Sequence, residues 1–177
     1  MKINMGALID MVIGLVFILI ALLIGPWYSI MSALGIESNI YLTRMEIAGV
    51  SIGYSNPLIE TNIAGAKSFF DNTLYLTIIA LITAIIALVG ILIKRRMIGV
   101  GLGILTFIFA LIAPLYFMTG GFVGEGSGFW NEYGGPGYAW YLMIIAAIIA
   151  LISGILSLKK QVPVPAPPRA PTPPPEK

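Results

Sequence analysis

The chain has 177 residues, 58% of them hydrophobic and 10% charged, with a formal net charge of +2 and a mean hydropathy of +0.96. A soluble domain carries roughly 25% charged residues and could not keep this much apolar side chain from water, so the composition points to an integral membrane protein. With no cysteine and no histidine, disulfides, thiolate chemistry, histidine-ligated haem and the usual zinc sites are excluded.

In chain order, the first apolar run covers residues 6–24. It ends in IGPWYS with no small-x-small cleavage pattern, so it reads as a retained anchor rather than a cleaved signal peptide. Asp10 is the one ionisable residue inside a predicted span. An acid there is a functional candidate. It also sits early in its helix, where the macrodipole favours negative charge, and within reach of Lys94, Arg95 or Lys159. Proton or ion coupling and a structural role both remain open for it.

Residues 25–73 form the first loop, too long for a simple connector. WYSIMSAL (27–34) and NIYLTRMEIAGVSIGYS (39–55) are rich in β-branched and aromatic residues and punctuated by glycine, which predicts an antiparallel sheet of about three strands. Across 40–47, Tyr41, Thr43, Met45 and Ile47 alternate with Ile40, Leu42, Arg44 and Glu46, so that one face turns charged at Arg44 and Glu46. Ala48-Gly49 or Gly53 supplies a turn or bulge. PLIETNIAGAKSFF (57–70) is read as holding a short helix, with Asp71 placed to cap the second span.

The second span is expected over 74–93 and the third over 97–117, joined by Lys94-Arg95-Arg96. Pro114 should kink the third. The second loop, 118–137, has eight glycines in twenty residues. Its rings Phe122, Phe129, Trp130 and Tyr133 either dip into the membrane interface or contact a partner. The fourth span, 138–158, begins GYAWY and stops at Lys159-Lys160. Residues 161–177 hold eight prolines and read as an extended, disordered tail, or as a P-x-x-P ligand for an aromatic groove.

Eight of ten basic residues fall on one side of the four spans, with Arg44 and Lys67 alone on the other. The positive-inside rule therefore places both termini in the cytoplasm and both loops outside. The aromatic residues, Trp27, Tyr28, Tyr75, Trp130, Tyr138 and Trp140 among them, cluster at the outer ends, where amphipathic rings favour the headgroup zone. Small residues recur every four positions: Gly99 and Gly103, Ala80 and Ala84, Ala21 and Gly25, and Ala146, Ala150 and Gly154. Such ladders let helices approach closely in lipid, within one bundle or against a neighbouring copy.

Four spans, a long β-rich first loop with Pro26-Trp27 just after the first span, and the glycine/aromatic start of the fourth, GYAWYLMIIAAIIALISGIL, together resemble the claudin and peripheral-myelin-protein superfamily of tetraspan proteins over residues 1–160. The Gly-Leu-Trp segment and the cysteine pair of that family's first loop are absent here. The resemblance implies an all-α membrane fold of four helices with a small extracellular antiparallel sheet. The large outward β-rich platform and the absence of catalytic groups point to a structural or interaction role in the cell envelope. The resemblance also permits an accessory subunit of a channel, transporter or other membrane complex. The third reading is an independent transporter or an enzyme, for which the outer acids Glu37, Glu46, Glu60, Glu125 and Glu132 show no pairing in their spacing. The expected partners are the lipid bilayer and a second copy or another membrane protein. Neither a cofactor, a catalytic residue, a metal site nor a nucleic-acid surface is implied.

Overall fold

The computed structural model describes residues 3–31, 35–54, 66–119 and 134–158. Residues 57–65 of the stretch read as holding a short helix, the second-loop rings Phe122, Phe129, Trp130 and Tyr133, the acids Glu60, Glu125 and Glu132, and the proline-rich tail lie outside them. Four helices dominate: α1 (Met5–Leu23), α2 (Ala66–Leu92), α3 (Arg96–Met118) and α4 (Tyr138–Leu158). Each is long and apolar enough to cross a membrane. At ~1.5 Å per residue the 19, 23 and 21 residues of α1, α3 and α4 match a ~30 Å hydrocarbon layer. The 27 residues of α2 reach about 40 Å.

That extra length corrects the reading of the second span. The apolar run begins at residue 74, but the helix already begins at Ala66. Ser68, Asp71 and Asn72 end the apolar pattern without ending the backbone hydrogen bonding. Asp71 consequently lies inside α2 rather than capping it. The helix also carries Phe69 and Phe70 beyond the apolar segment, which proves important for the sheet.

The helices form a ring in which α2 packs on α3, α3 on α4 and α4 on α1, with a smaller contact between α1 and α2. Asn4 caps α1 by accepting from the Ala7 amide at 3.3 Å and also donates to the Leu156 carbonyl at 2.6 Å. Ser153 donates to the Ala7 carbonyl at 2.7 Å. These two bonds tie the start of α1 to the end of α4.

At the opposite end of the bundle sits one five-stranded antiparallel sheet in the order β4-β3-β2-β1-β5. Its strands are β1 (Tyr28–Met31), β2 (Glu37–Ile40), β3 (Arg44–Ile47), β4 (Val50–Gly53) and β5 (Gly134–Pro136). Two points of the sequence reading change here. The 40–47 stretch is two strands joined at Tyr41–Thr43, so Ile40 shares a face with Met45 and Ile47 rather than with Arg44 and Glu46. The fifth strand comes from the glycine-rich second loop, where Gly-Gly-Pro gives no strand signal but pairs with β1. Between β3 and β4 the turn is Ala48-Gly49, both at positive φ (52° and 81°). This is the combination a two-residue hairpin needs to follow the strand twist.

Register fixes what each face presents, because directly opposed residues point the same way. Tyr28, Ile40, Met45 and Ile52 form one row across four strands, and Ile30, Ser38, Ile47 and Val50 the next. This face is apolar apart from Ser38. The other face carries Ser29, Asn39, Glu46 and Ser51 in a row, flanked by Glu37 and Arg44. Tyr28 and Ile40 are buried while Ile47 and Val50 are exposed. The apolar face therefore rests on the core along its first row and at Ile30, and runs free of it only at Ile47 and Val50, on the β3–β4 hairpin.

Candidate functional site

The two-faced sheet and its seat on the helices are the candidate site. The seat is aromatic. Trp27 is fully buried; its indole N–H donates to the Ala21 carbonyl at 2.9 Å, and its ring lies 5.3 Å from that of Phe117 on α3. Phe69 contacts Phe70, Tyr116 and Phe117 with centroid separations of 5.6, 5.1 and 5.9 Å. The early start of α2 is what brings these rings into place. Trp140 donates to the Pro114 carbonyl at 2.9 Å. The sequence reading placed all the aromatics in the headgroup zone, and the structure divides them. Tyr75, Tyr138 and Tyr141 are exposed, whereas Trp27, Tyr28, Phe70 and Trp140 are internal.

Tyr54 joins the sheet to this cluster. Its hydroxyl is directed at the carbonyls of Tyr41 and Arg44 across the β2–β3 connection, and its ring stacks on Phe70 at 3.8 Å. Burial pushes its phenol well above the ordinary tyrosine range, outweighing the opposing influence of Arg44. On the other flank the backbone closes directly. The Gly137 amide donates to Trp27 O at 2.9 Å and the Ala139 amide to Pro26 O at 3.1 Å. A Cβ on Gly137 would lie 2.1 Å from Pro26 O, so only glycine permits this approach.

Arg44 and Glu46 do meet, through Tyr41. The guanidinium sits over the Tyr41 ring, 4.2 Å from its centroid. Burial, with a hydrogen bond and charge from Glu46, holds the Tyr41 phenol above its usual value. Further along the same face, Ser29 donates to Asn39 at 2.7 Å and Asn39 to Glu37 at 3.1 Å. Beside them a recess of about 440 Å³ opens between Glu37, Asn39, Glu46 and the Gly35 and Gly49 backbones. Polar side chains restrained in this way lose little rotamer freedom when a partner docks, so they offer affinity at low entropic cost.

The remaining candidates divide plainly. Gly99, Gly103, Ala146, Ala150 and Gly154 are all buried within the single chain. A Cβ at Gly103 would stand 3.1 Å from Gly154 Cα and 3.2 Å from Ala150 O, so these ladders form the α3–α4 contact. Ala21, Gly25, Ala80 and Ala84 are buried as well. Asp10 is half-buried in the second turn of α1, past the first turn where a helix dipole acts strongly. Sequence reasoning missed Tyr54, which no periodicity marks, and Gly137, and it read Phe70 as an interfacial ring rather than as the buried partner of Tyr54. No family model matches the chain, and no curated protein matches it.

Proposed function

We propose that this is a claudin-like tetraspan protein of the cell envelope that presents the polar face of its sheet for lateral or extracellular protein contacts. Both termini lie in the cytoplasm and the sheet outside. The observation that carries the reading is the two-faced sheet: its apolar row is seated on the helix ends through Tyr28 and Ile40, while Arg44, Glu46, Asn39 and Glu37 are held in a connected row on the other side. Such an ordered, charged surface on a membrane bundle suits recognition of another protein. The orientation is supported by the cations Lys94, Arg95 and Arg96 at the end opposite the sheet.

The test is the mass of the intact complex purified from native membranes, for the wild type and for Glu46→Lys and Ser51→Trp, which alter the polar face without touching the seat. Copies of the chain that fall apart in both variants are expected. A stoichiometric foreign protein lost in both would favour the accessory-subunit alternative. A monomer, or a complex indifferent to both changes, would defeat the proposal. Ser51→Cys should be labelled by an impermeant thiol reagent from outside intact cells, and Arg95→Cys only after permeabilisation.

A further inference from the structure

We propose that the turn between α2 and α3 binds the phosphate-bearing headgroup of anionic phospholipids. Helix α2 ends at Leu92 and α3 begins at Arg96. The three residues between are held by Lys94 N–H to Ile91 O at 3.1 Å and Arg95 N–H to Gly90 O at 2.9 Å. Beneath the turn the helices nearly touch: a Cβ on Gly90 would stand 2.7 Å from Ile98 Cγ2 and 3.0 Å from the Gly99 amide. The turn is therefore a rigid platform.

On it stand Lys94, Arg95 and Arg96. Among the described residues their side chains make no hydrogen bond, ion pair or ring contact, and α3 has no acid in its first turn. Three adjacent cations with no counter-charge paired to them among the described residues repel one another and favour an anion from elsewhere. Lys94 adds a second observation. Its φ of 61° is left-handed, a conformation that glycine adopts freely and a residue with a Cβ does not. A lysine there keeps the charge at the expense of backbone strain.

The flanks say which anion. Ile93 is 55% exposed and Met97 80% exposed, continuing the apolar outer surface of both helices up to the cations. A turn this short cannot lift the charged groups away from that surface. They are fixed where the apolar helix surface ends, at the level where lipid phosphates lie when such helices cross a bilayer. A soluble phosphate ion would gain nothing from Ile93 and Met97. The site holds whichever leaflet the turn faces, so it stands apart from the orientation and contacts proposed above.

The test uses the full chain in detergent micelles, titrated with phosphatidylglycerol, with phosphatidylcholine and with inorganic phosphate, and read by native mass spectrometry. Phosphatidylglycerol should bind more tightly than phosphatidylcholine, by about fivefold for each cation engaged, with the preference shrinking as salt rises. Lys94→Gly, which relieves the backbone and removes one charge, should raise the thermal midpoint and weaken phosphatidylglycerol binding about fivefold. Lys94→Arg should keep the binding. Equal binding of the two lipids, or a Lys94→Gly protein that binds phosphatidylglycerol as wild type does, would overturn the proposal. Displacement of phosphatidylglycerol by inorganic phosphate would assign the turn to a soluble anion and overturn the lipid.

Discussion

At the sheet end the chain is held together by large rings: Trp27, Phe70 and Phe117 meet between α1, α2 and α3, with Tyr54 stacked above them. In the body of the bundle and at the turn end, contact depends on what is missing. Gly103 faces Gly154, Gly90 faces Ile98 and Gly99, and Ser153 reaches the Ala7 carbonyl. The difference is the one that helices long and apolar enough to cross a membrane, with a sheet at their ends, would require. Helices in lipid gain nothing by hiding apolar surface from lipid, so they associate through close backbone approach, dispersion and hydrogen bonds. A sheet lying beyond the apolar helix surfaces is driven onto its seat by burial of ring area. The two regions should therefore respond to volume changes with opposite sensitivity.

The strongest test of that contrast is Trp27→Ala. It removes a fully buried ring and the hydrogen bond to Ala21 O, and should destabilise the fold by about 3–5 kcal/mol. Chemical denaturation in detergent, followed by Trp140 and Trp130 fluorescence, would measure it. Trp27→Phe should recover part of the loss. A loss below about 1 kcal/mol would mean that the aromatic seat is not what fixes the sheet.

The bundle should behave in the reverse sense. Gly103→Leu forces a side chain against Gly154 Cα and the Ala150 carbonyl, backbone atoms that cannot rotate away, and should destabilise by about 1–3 kcal/mol. Gly101→Leu, two residues away on the exposed side with nothing within 4 Å, should be tolerated. Equal effects from the two would place the ladder outside the intramolecular contact.

These same residues show what the sequence makes legible. Three of the four spans could be drawn to within a residue or so, since a run of twenty apolar side chains has few alternatives. Gly103 and Gly154 could be recognised as packing residues from their spacing, though not which way they faced. The start of α2 was missed because the polar residues Ser68, Asp71 and Asn72 look the same inside a helix as before one. The break between β2 and β3 was missed because Leu42 continues the apolar alternation through the turn, where it is buried for a different reason. Gly-Gly-Pro enters the sheet only because β1 is there to pair with it. Such facts depend on partners distant in sequence, and local pattern carries no trace of them.

The smallest expected effect bears on the joint between the two regions. Tyr54→Phe keeps the ring on Phe70 and removes only the hydroxyl directed at Tyr41 O and Arg44 O. At neutral pH the loss should be about 1 kcal/mol. Its distinguishing mark lies in alkali. The folded phenol is held neutral by burial, whereas in the unfolded chain it ionises near pH 10. Below about pH 10 both states keep the proton and the group contributes no pH dependence. Above it the unfolded state releases a proton that the folded state retains, so stability falls as pH rises, by up to ~1.4 kcal/mol per pH unit for this one group. The Phe variant lacks that slope. The thermal midpoints of the two proteins should therefore converge between about pH 10 and 11, the wild type losing its advantage as its unfolded form ionises. Parallel curves would show that Tyr54 is open to solvent and that the joint is looser than its stacking on Phe70 implies.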